Sequence, residues 1–408
     1  MRLFIVFASI LLSINIDALE VSDSRPPGVT GETWQFGPLN RWAYTHIREI
    51  LPTKNIANNP SFIQPIPGIK EAKKDLQINF DGQSVLLSEL MKSQFIDGIL
   101  IIKNGTAMVE LYGGTLKPNR THLMWSVSKT IAGLTAASVE ADGLINLSNT
   151  VGDYVPELTN SGWGENTLRE ILDMRDSSNW VEDYDSPEST VRRQDCADGL
   201  LTGPMCIDTA VIGNYKFLPA VGKEASRKGK FVYKSGTADV MAWVLEAATG
   251  KRYADLVSER LWKPIGAESN AGITVDVSGF TLASGGMFAS LRDTAKIGQL
   301  ILNKGQAGKT QVVPENWIND MTDQPGDNSI MPLGSESINP YYRSFIWGIG
   351  DGEGTVLANG VHGQFVYISP KTGVVITIFS TWPNADGGAP EVGLENAMEI
   401  IEAIKNSI

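Results

Sequence analysis

The chain predicts an α/β fold in which a strand layer is interrupted by a mostly helical insertion. Three observations predict it. Residues 96–114 read as a hairpin: the run Ile99-Leu100-Ile101-Ile102 is followed by Lys103-Asn104-Gly105-Thr106 and a second apolar run over 107–112. Asn-Gly between apolar runs is the strongest short-range hairpin signal. Residues 364–368 and 374–380 flank the turn Ser369-Pro370-Lys371-Thr372-Gly373 and read as a second apolar hairpin. Between the two hairpins the chain reads as mostly helical, and strands at both ends with helices between them are a layered α/β arrangement.

Taken in order, residues 20–75 are rich in Pro, Asn and Gly and read as an extended lead-in with one short helix around 42–51. After the first hairpin a helix starts near Ser126 and stops at Asp142-Gly143, where glycine suits a helix C-terminus. Residues 167–174 begin with a Thr-x-x-Glu capping box, Thr167 to Glu170. Residues 176–229 show little periodicity and read as long loops, which in a compact protein are usually functional or mobile. Lys230-Phe231-Val232 reads as a short strand-like run, and 238–248 as a long apolar helix ending at Gly250. A further helix is expected from Tyr253 to about Leu261, before Pro264. Leu394, Ala397, Met398, Ile401, Ile404 and Ile408 line one face of a terminal amphipathic helix. The expected organisation is an α/β domain over 19–147 and 275–408 with a helical domain over 148–274.

A formal net charge of −12 over 408 residues argues against nucleic acid, whose phosphates need a basic surface, and against anionic membranes. Met1-Arg2 followed by the apolar stretch 3–14 reads as a secretory signal over 1–18, with Ala18 the last residue removed and an uncleaved anchor as the other reading. The mature chain is then expected to be soluble and periplasmic or secreted. Cys196 and Cys206, its two cysteines, form either a small local disulfide or two free thiols. His46, His122 and His362 show no metal-ligand spacing, so no metal centre is expected, and nothing in the sequence implies an organic cofactor.

The chemistry centres on Ser126-Val127-Ser128-Lys129. A serine and a lysine three apart at a helix start share one face and can touch. The same turn directs free N–H groups and the positive end of the helix dipole outward, which favours developing negative charge. A lysine in a poorly solvated cleft loses proton affinity and can accept the proton of a serine hydroxyl. Ser126 is thus a candidate nucleophile and Lys129 its base. Tyr233, in Tyr233-Lys234-Ser235, could shuttle a proton, although core packing is the ordinary fate of a tyrosine. No G-x-S-x-G elbow is present, and Gly308-Lys309-Thr310 lacks the earlier glycine of a phosphate loop, since Asn303 stands there.

Ser126-x-x-Lys129, Tyr233-x-Ser235 and Gly360-Val361-His362-Gly363-Gln364 follow one another in the order used by serine β-lactamases and penicillin-binding proteins. The chain resembles their class C and esterase-like branch, and is most similar there to the 6-aminohexanoate-dimer (nylon-oligomer) hydrolases. Asn40-Arg41-Trp42, Asp142-Gly143-Leu144-Ile145-Asn146-Leu147, Ile171-Leu172-Asp173-Met174 and Ser380-Thr381-Trp382-Pro383 support the likeness, which covers nearly everything after the signal. It implies a β-lactamase-like fold with an antiparallel sheet flanked by helices.

The resemblance also implies roles: Ser126 as acylated nucleophile, Lys129 as base, Tyr233 as proton relay, and the N–H groups of Ser126 and Val361 as oxyanion hole. Tyr184, in Glu182-Asp183-Tyr184-Asp185, would close over the substrate amide, and Asp195 would contact a substrate amine. The bland readings are an ordinary loop tyrosine and a solvated carboxylate. Trp347 and His362 are further candidates for lining the substrate pocket. Lys371-Thr372-Gly373 matches a family motif literally but falls in the hairpin turn, remote from the expected site. Ser235 stands where many β-lactamases have Asn, which favours hydrolysis of a small linear amide or short-chain ester. The alternatives are a D-alanyl-D-alanine carboxypeptidase or β-lactamase, and a non-catalytic sensor or scaffold of the same fold.

Overall fold

A seven-stranded antiparallel sheet organises the molecule, built from both ends of the chain. The computed structural model describes residues 23–206, 209–388 and 392–408, so the expected signal over 1–18 lies outside the described residues. Ile96–Lys103 (β1) and Thr106–Tyr112 (β2) form the first hairpin. Its turn residues Asn104 (φ 48°) and Gly105 (φ 77°) both adopt positive φ, which matches the twist of the flanking strands. Tyr341–Arg343 (β3), Ile346–Gly348 (β4), Val356–Gly360 (β5), Gln364–Ser369 (β6) and Val374–Ser380 (β7) supply the rest, in the order β3-β4-β5-β6-β7-β1-β2. Ile376 pairs with Ile101 and Ile378 with Ile99, so the central pairing joins residues far apart in sequence.

Both faces of this sheet are covered. Ile99, Ile101, Ile376 and Ile378 pack with Ile401 and Ile404 of the terminal Leu394–Ser407 helix. Leu100, Ile102, Val375 and Phe379 point the other way, into a core shared with Leu291, Ala295 and Leu300 of the Leu291–Leu302 helix. Strands buried on both faces read as continuous apolar runs, which is how β1 and β7 read in the sequence. Gly298 permits the close approach of that helix, since a Cβ there would lie 2.5 Å from Val375 Cγ1.

A second antiparallel sheet, in the order Thr53–Ile56, Ala271–Thr274, Met287–Ala289, His122–Leu123, leads the chain into Ser126. The helices between include Val127–Ala141, Leu168–Leu172 and Ser235–Thr249, and the box at Thr167 and Glu170 is formed in both directions. None of the helices among the described residues is long and apolar enough to cross a membrane.

Four local expectations change. The stretch read as loops holds a helix, Thr190–Ala197, capped by Ser189 and joined through Cys196 to Cys206 in a disulfide. Its buried face includes Arg192 and Gln194, so no apolar periodicity announced it. The apolar helix begins at Ser235, one turn earlier than expected, and residues 230–232 form no strand. The short helix around 42–51 is two separate turns, Asn40–Ala43 and Ile47–Glu49, and the lead-in supplies the strand Thr53–Ile56.

Candidate active site

Ser126 sits at a bend between strand and helix. The His122–Leu123 strand pairs with Met287–Ala289, and the Met124 N–H donates to Met287 O at 2.9 Å. Trp125 then takes a left-handed φ of 44°, a conformation that costs a bulky residue energy and must be held by its surroundings. Its ring is stacked between Trp34 (5.7 Å) and His362 (5.6 Å). The turn leaves Ser126 as the N-cap of the Val127–Ala141 helix.

One helical turn on, Lys129 Nζ lies 2.7 Å from Ser126 Oγ and 2.6 Å from Ser284 O, and Lys129 is 1% exposed. The Ser284 N–H is fixed by Asp239 Oδ1 at 2.9 Å, and Asp239 Oδ2 accepts from Gln194 Nε2 at 2.8 Å. Burial lowers the Lys129 ammonium to about 8, against the pull of the Glu182 and Asp239 carboxylates. Burial raises Asp239 to about 6.

Tyr233 precedes the Ser235–Thr249 helix. Its neighbour Lys234 is wholly buried and bonded to Asp176 Oδ1 (2.8 Å) and Asp176 O (2.6 Å), which pins this segment. The Tyr233 ring stacks on Trp347 at 5.5 Å, and Lys129 Nζ stands 5.2 Å from its centroid. Burial, with Glu182 adding to it, raises the phenol far above its ordinary range, while nearby Ser126 acts in the opposite sense. The phenol therefore stays protonated.

The end of β5 runs against the bend. A Cβ on Gly360 would lie 2.8 Å from Met124 O and 3.0 Å from Ser126 N, so only glycine fits there. Val361 follows, and neither its N–H nor that of Ser126 finds a backbone acceptor among the described residues. His362 (φ 60°) donates from Nδ1 to Trp382 O at 2.8 Å. Burial lowers it to about 4, so it is neutral.

The cleft has two lobes that share Ser126, Tyr184, Val361 and Ala385. One is walled by Trp34, Trp125 and Leu51 and ends on Arg192, Asp195 and His362. The other carries Tyr233, Trp347 and Asn359. Lys371-Thr372-Gly373 occupies the β6–β7 turn and lines neither lobe.

Asp195 is a cleft residue rather than a solvated carboxylate, but it is not alone. Arg192 Nη1 lies 3.1 Å from its Oδ2, and the same guanidinium bonds Gln35 Oε1 (2.8 Å) and Tyr184 O (2.7 Å). Burial raises Asp195 to about 6 even against that partner.

Two acidic residues of the site escaped sequence reasoning. Glu182 accepts from Trp180 Nε1 (2.6 Å), the Ser235 N–H (2.8 Å), Ser235 Oγ and the Tyr184 hydroxyl (2.5 Å). It lies in the stretch read as loops, and nothing local marks it. Asp239 did leave a signal, as the lone charge in the apolar run Ala238-Asp239-Val240-Met241-Ala242-Trp243. A single carboxylate inside a buried helix needs partners, and here it orders Ser284 beneath Lys129.

The Beta-lactamase family model matches residues 86–395. A 6-aminohexanoate-dimer hydrolase of Paenarthrobacter ureafaciens is 32% identical over 380 residues, covering 89% of this chain and 92% of the relative. A solved structure from Bacillus anthracis, provisionally named a 6-aminohexanoate-dimer hydrolase, superposes with a TM-score of 0.81 at 27% identity over 95% of this chain and 97% of its own. EstCE1, a hydrolase with promiscuous acyltransferase activity, shares the fold at a TM-score of 0.60 and 14% identity, over 78% of this chain and 96% of its own. This chain therefore belongs to the serine β-lactamase family of hydrolases and stands near the 6-aminohexanoate-dimer hydrolases within it.

Proposed function

We propose that the protein is an exported serine hydrolase that cleaves small linear amides or short-chain esters through an acyl-enzyme on Ser126. The observation that carries this reading is a lysine nitrogen, its proton affinity lowered by burial, placed 2.7 Å from a serine hydroxyl at a helix start.

In its neutral form Lys129 accepts the Ser126 proton as Oγ bonds to the substrate carbonyl carbon. The oxyanion forms between the N–H groups of Ser126 and Val361, donors worth about 3–4 kcal/mol each where such groups have been removed. The tetrahedral adduct collapses, the bond to the leaving nitrogen or oxygen breaks, and Tyr233 gives that atom a proton that Lys129 replaces. Water then attacks the acyl carbon with Lys129 accepting its proton, and the acid departs as Ser126 is reprotonated. Residues 1–18 and the Cys196–Cys206 disulfide support an exported, periplasmic or secreted setting. The curated relative named for the 6-aminohexanoate dimer favours an amide substrate.

The test is a fluorophosphonate probe with a substrate panel: p-nitrophenyl acetate and butyrate, nitrocefin, a D-Ala-D-Ala peptide and the 6-aminohexanoate dimer. Labelling and ester or amide turnover, both lost in Ser126→Ala, are expected. Nitrocefin or peptide turnover would move the protein to the cell-wall branch. Absence of labelling would return the non-catalytic scaffold.

A further inference from the structure

We propose that Glu182 is a positioning residue that biases the site toward amides over esters, by taking the hydroxyl protons of Tyr184 and Ser235 and leaving only lone pairs facing the cleft. The inference rests on the acyl-enzyme reading above and concerns the specificity of that same site.

The geometry is that of one carboxylate with four donors from three residues, Trp180 and Tyr184 of its own loop and Ser235 of the facing helix start. Oε2 accepts the Trp180 indole N–H and the Ser235 backbone N–H, groups that can only donate. Oε1 accepts the hydroxyls of Ser235 and Tyr184. Gly236 lets this cluster form, because a Cβ there would lie 2.5 Å from Trp180 Cζ3. Tyr184 and Ser235 both line the lobe walled by Trp34 and Trp125, and Tyr184 lines the second lobe too. Arg192 holds the Tyr184 carbonyl from the opposite side at 2.7 Å.

A hydroxyl has one proton to give. Tyr184 stays protonated, because burial and the Glu182 charge raise its phenol well above the ordinary range. Its proton is committed to Glu182, so toward substrate its oxygen can only accept. The same holds for Ser235. A scissile secondary amide presents an N–H to these oxygens. The matching ester presents an oxygen, and lone pair then faces lone pair. A site built to pair a substrate N–H discriminates against the analogue that lacks it.

In Glu182→Gln the one remaining oxygen must face the obligate donors, Trp180 Nε1 and the Ser235 N–H, so the NH2 group turns to the two hydroxyls, which lose their acceptor and are free to donate into the cleft. The readout is the ratio of kcat/KM for butyryl-p-nitroanilide to that for p-nitrophenyl butyrate, at fixed pH. Any change at Lys129 acts on both substrates and cancels. The ratio should fall about three- to tenfold, the usual worth of one neutral hydrogen bond. Glu182→Asp, which keeps the charge, should recover part of it. Tyr184→Phe should lower the ratio comparably, and the double variant with Glu182→Gln should be no worse than either single. Tyr184→Phe also keeps the proposal testable should Glu182→Gln fail to fold. Equal losses on both substrates, or a wild-type protein that turns over the ester and never the amide, would overturn the proposal with Ser126 chemistry intact. Silence on both substrates without Ser126 labelling would sink the parent reading instead.

Discussion

The acid limb of the pH–rate profile should belong to Lys129, and its position can be worked from the site. At a pKa of about 8, the neutral fraction is about 9% at pH 7 and about 91% at pH 9, so kcat/KM should rise about tenfold and then level off. An unshifted lysine at 10.5 would instead give about a hundredfold rise over the same span, still climbing at its end. The sign follows from the proposed role: the base would be the neutral amine, so activity is lost as pH falls through about 8. Other groups of the site stay out of this window. Burial holds Asp195 and Asp239 near 6 and His362 near 4, and the Tyr233 phenol remains protonated. The perturbation is Asp239→Asn. Its Oδ1 can still accept the Ser284 N–H, but the negative charge that favours the ammonium is gone. The limb should move to lower pH, even where the plateau drops because the new NH2 group meets Gln194 Nε2. The assay is p-nitrophenyl butyrate hydrolysis from about pH 6 to about pH 10, corrected with Ser126→Ala. A wild-type limb near 10.5, or a limb in Asp239→Asn that stays put or moves to higher pH, would refute the reasoning.

Two further outcomes are expected. Gly360→Ala should lower kcat by about a hundredfold and slow fluorophosphonate labelling, because its methyl would stand 3.0 Å from Ser126 N, the proposed oxyanion donor. A circular-dichroism melt separates that loss from any loss of stability, since the same methyl would also press on Met124 O at 2.8 Å. Removing the disulfide with Cys196→Ser and Cys206→Ser should cost about 2–3 kcal/mol in urea unfolding, the closure entropy of a short loop. It should also raise KM, since Cys196 shares a helix with Arg192 and Asp195.

What the sequence disclosed follows the range of the forces involved. The Asn104-Gly105 turn, the Thr167/Glu170 box and the Ser126/Lys129 pair are local: each is closed by residues a few positions apart, so spacing alone announces it. Tyr233 lies 104 residues beyond Lys129, and only the ordered motifs of a family linked them. Glu182 was silent because its four donors come together through packing of the 180–184 loop on a helix start that sequence placed one turn late. The Thr190–Ala197 helix hid for another reason. Its buried residues include Arg192 and Gln194 beside Val191, Cys196 and Ala197, so the apolar periodicity is broken and the stretch reads as solvent-exposed loop. That miss carried a cost at Asp195. Read as a helix, Arg192 three residues earlier falls on the same face and must pair with it; read as a loop, Asp195 stands alone.

The same long-range packing bears on how a buried lysine would serve as the base of the proposed mechanism. Burial alone disfavours the ammonium, and a lysine pushed too low would always be neutral yet a feeble proton acceptor. Glu182 and Asp239 act against burial, each restoring some proton affinity. Neither carboxylate is free to collapse onto Lys129, because donors hold both: Trp180, Tyr184 and Ser235 on one, Ser284 and Gln194 on the other. Their charges therefore act at a fixed distance, and Lys129 keeps its nitrogen on Ser126 Oγ and Ser284 O. Burial thus lowers the basicity of the lysine, and two carboxylates that do not touch the serine hydroxyl restore part of it. Changing either acid should retune the pH at which the serine acylates before it disturbs where the serine sits.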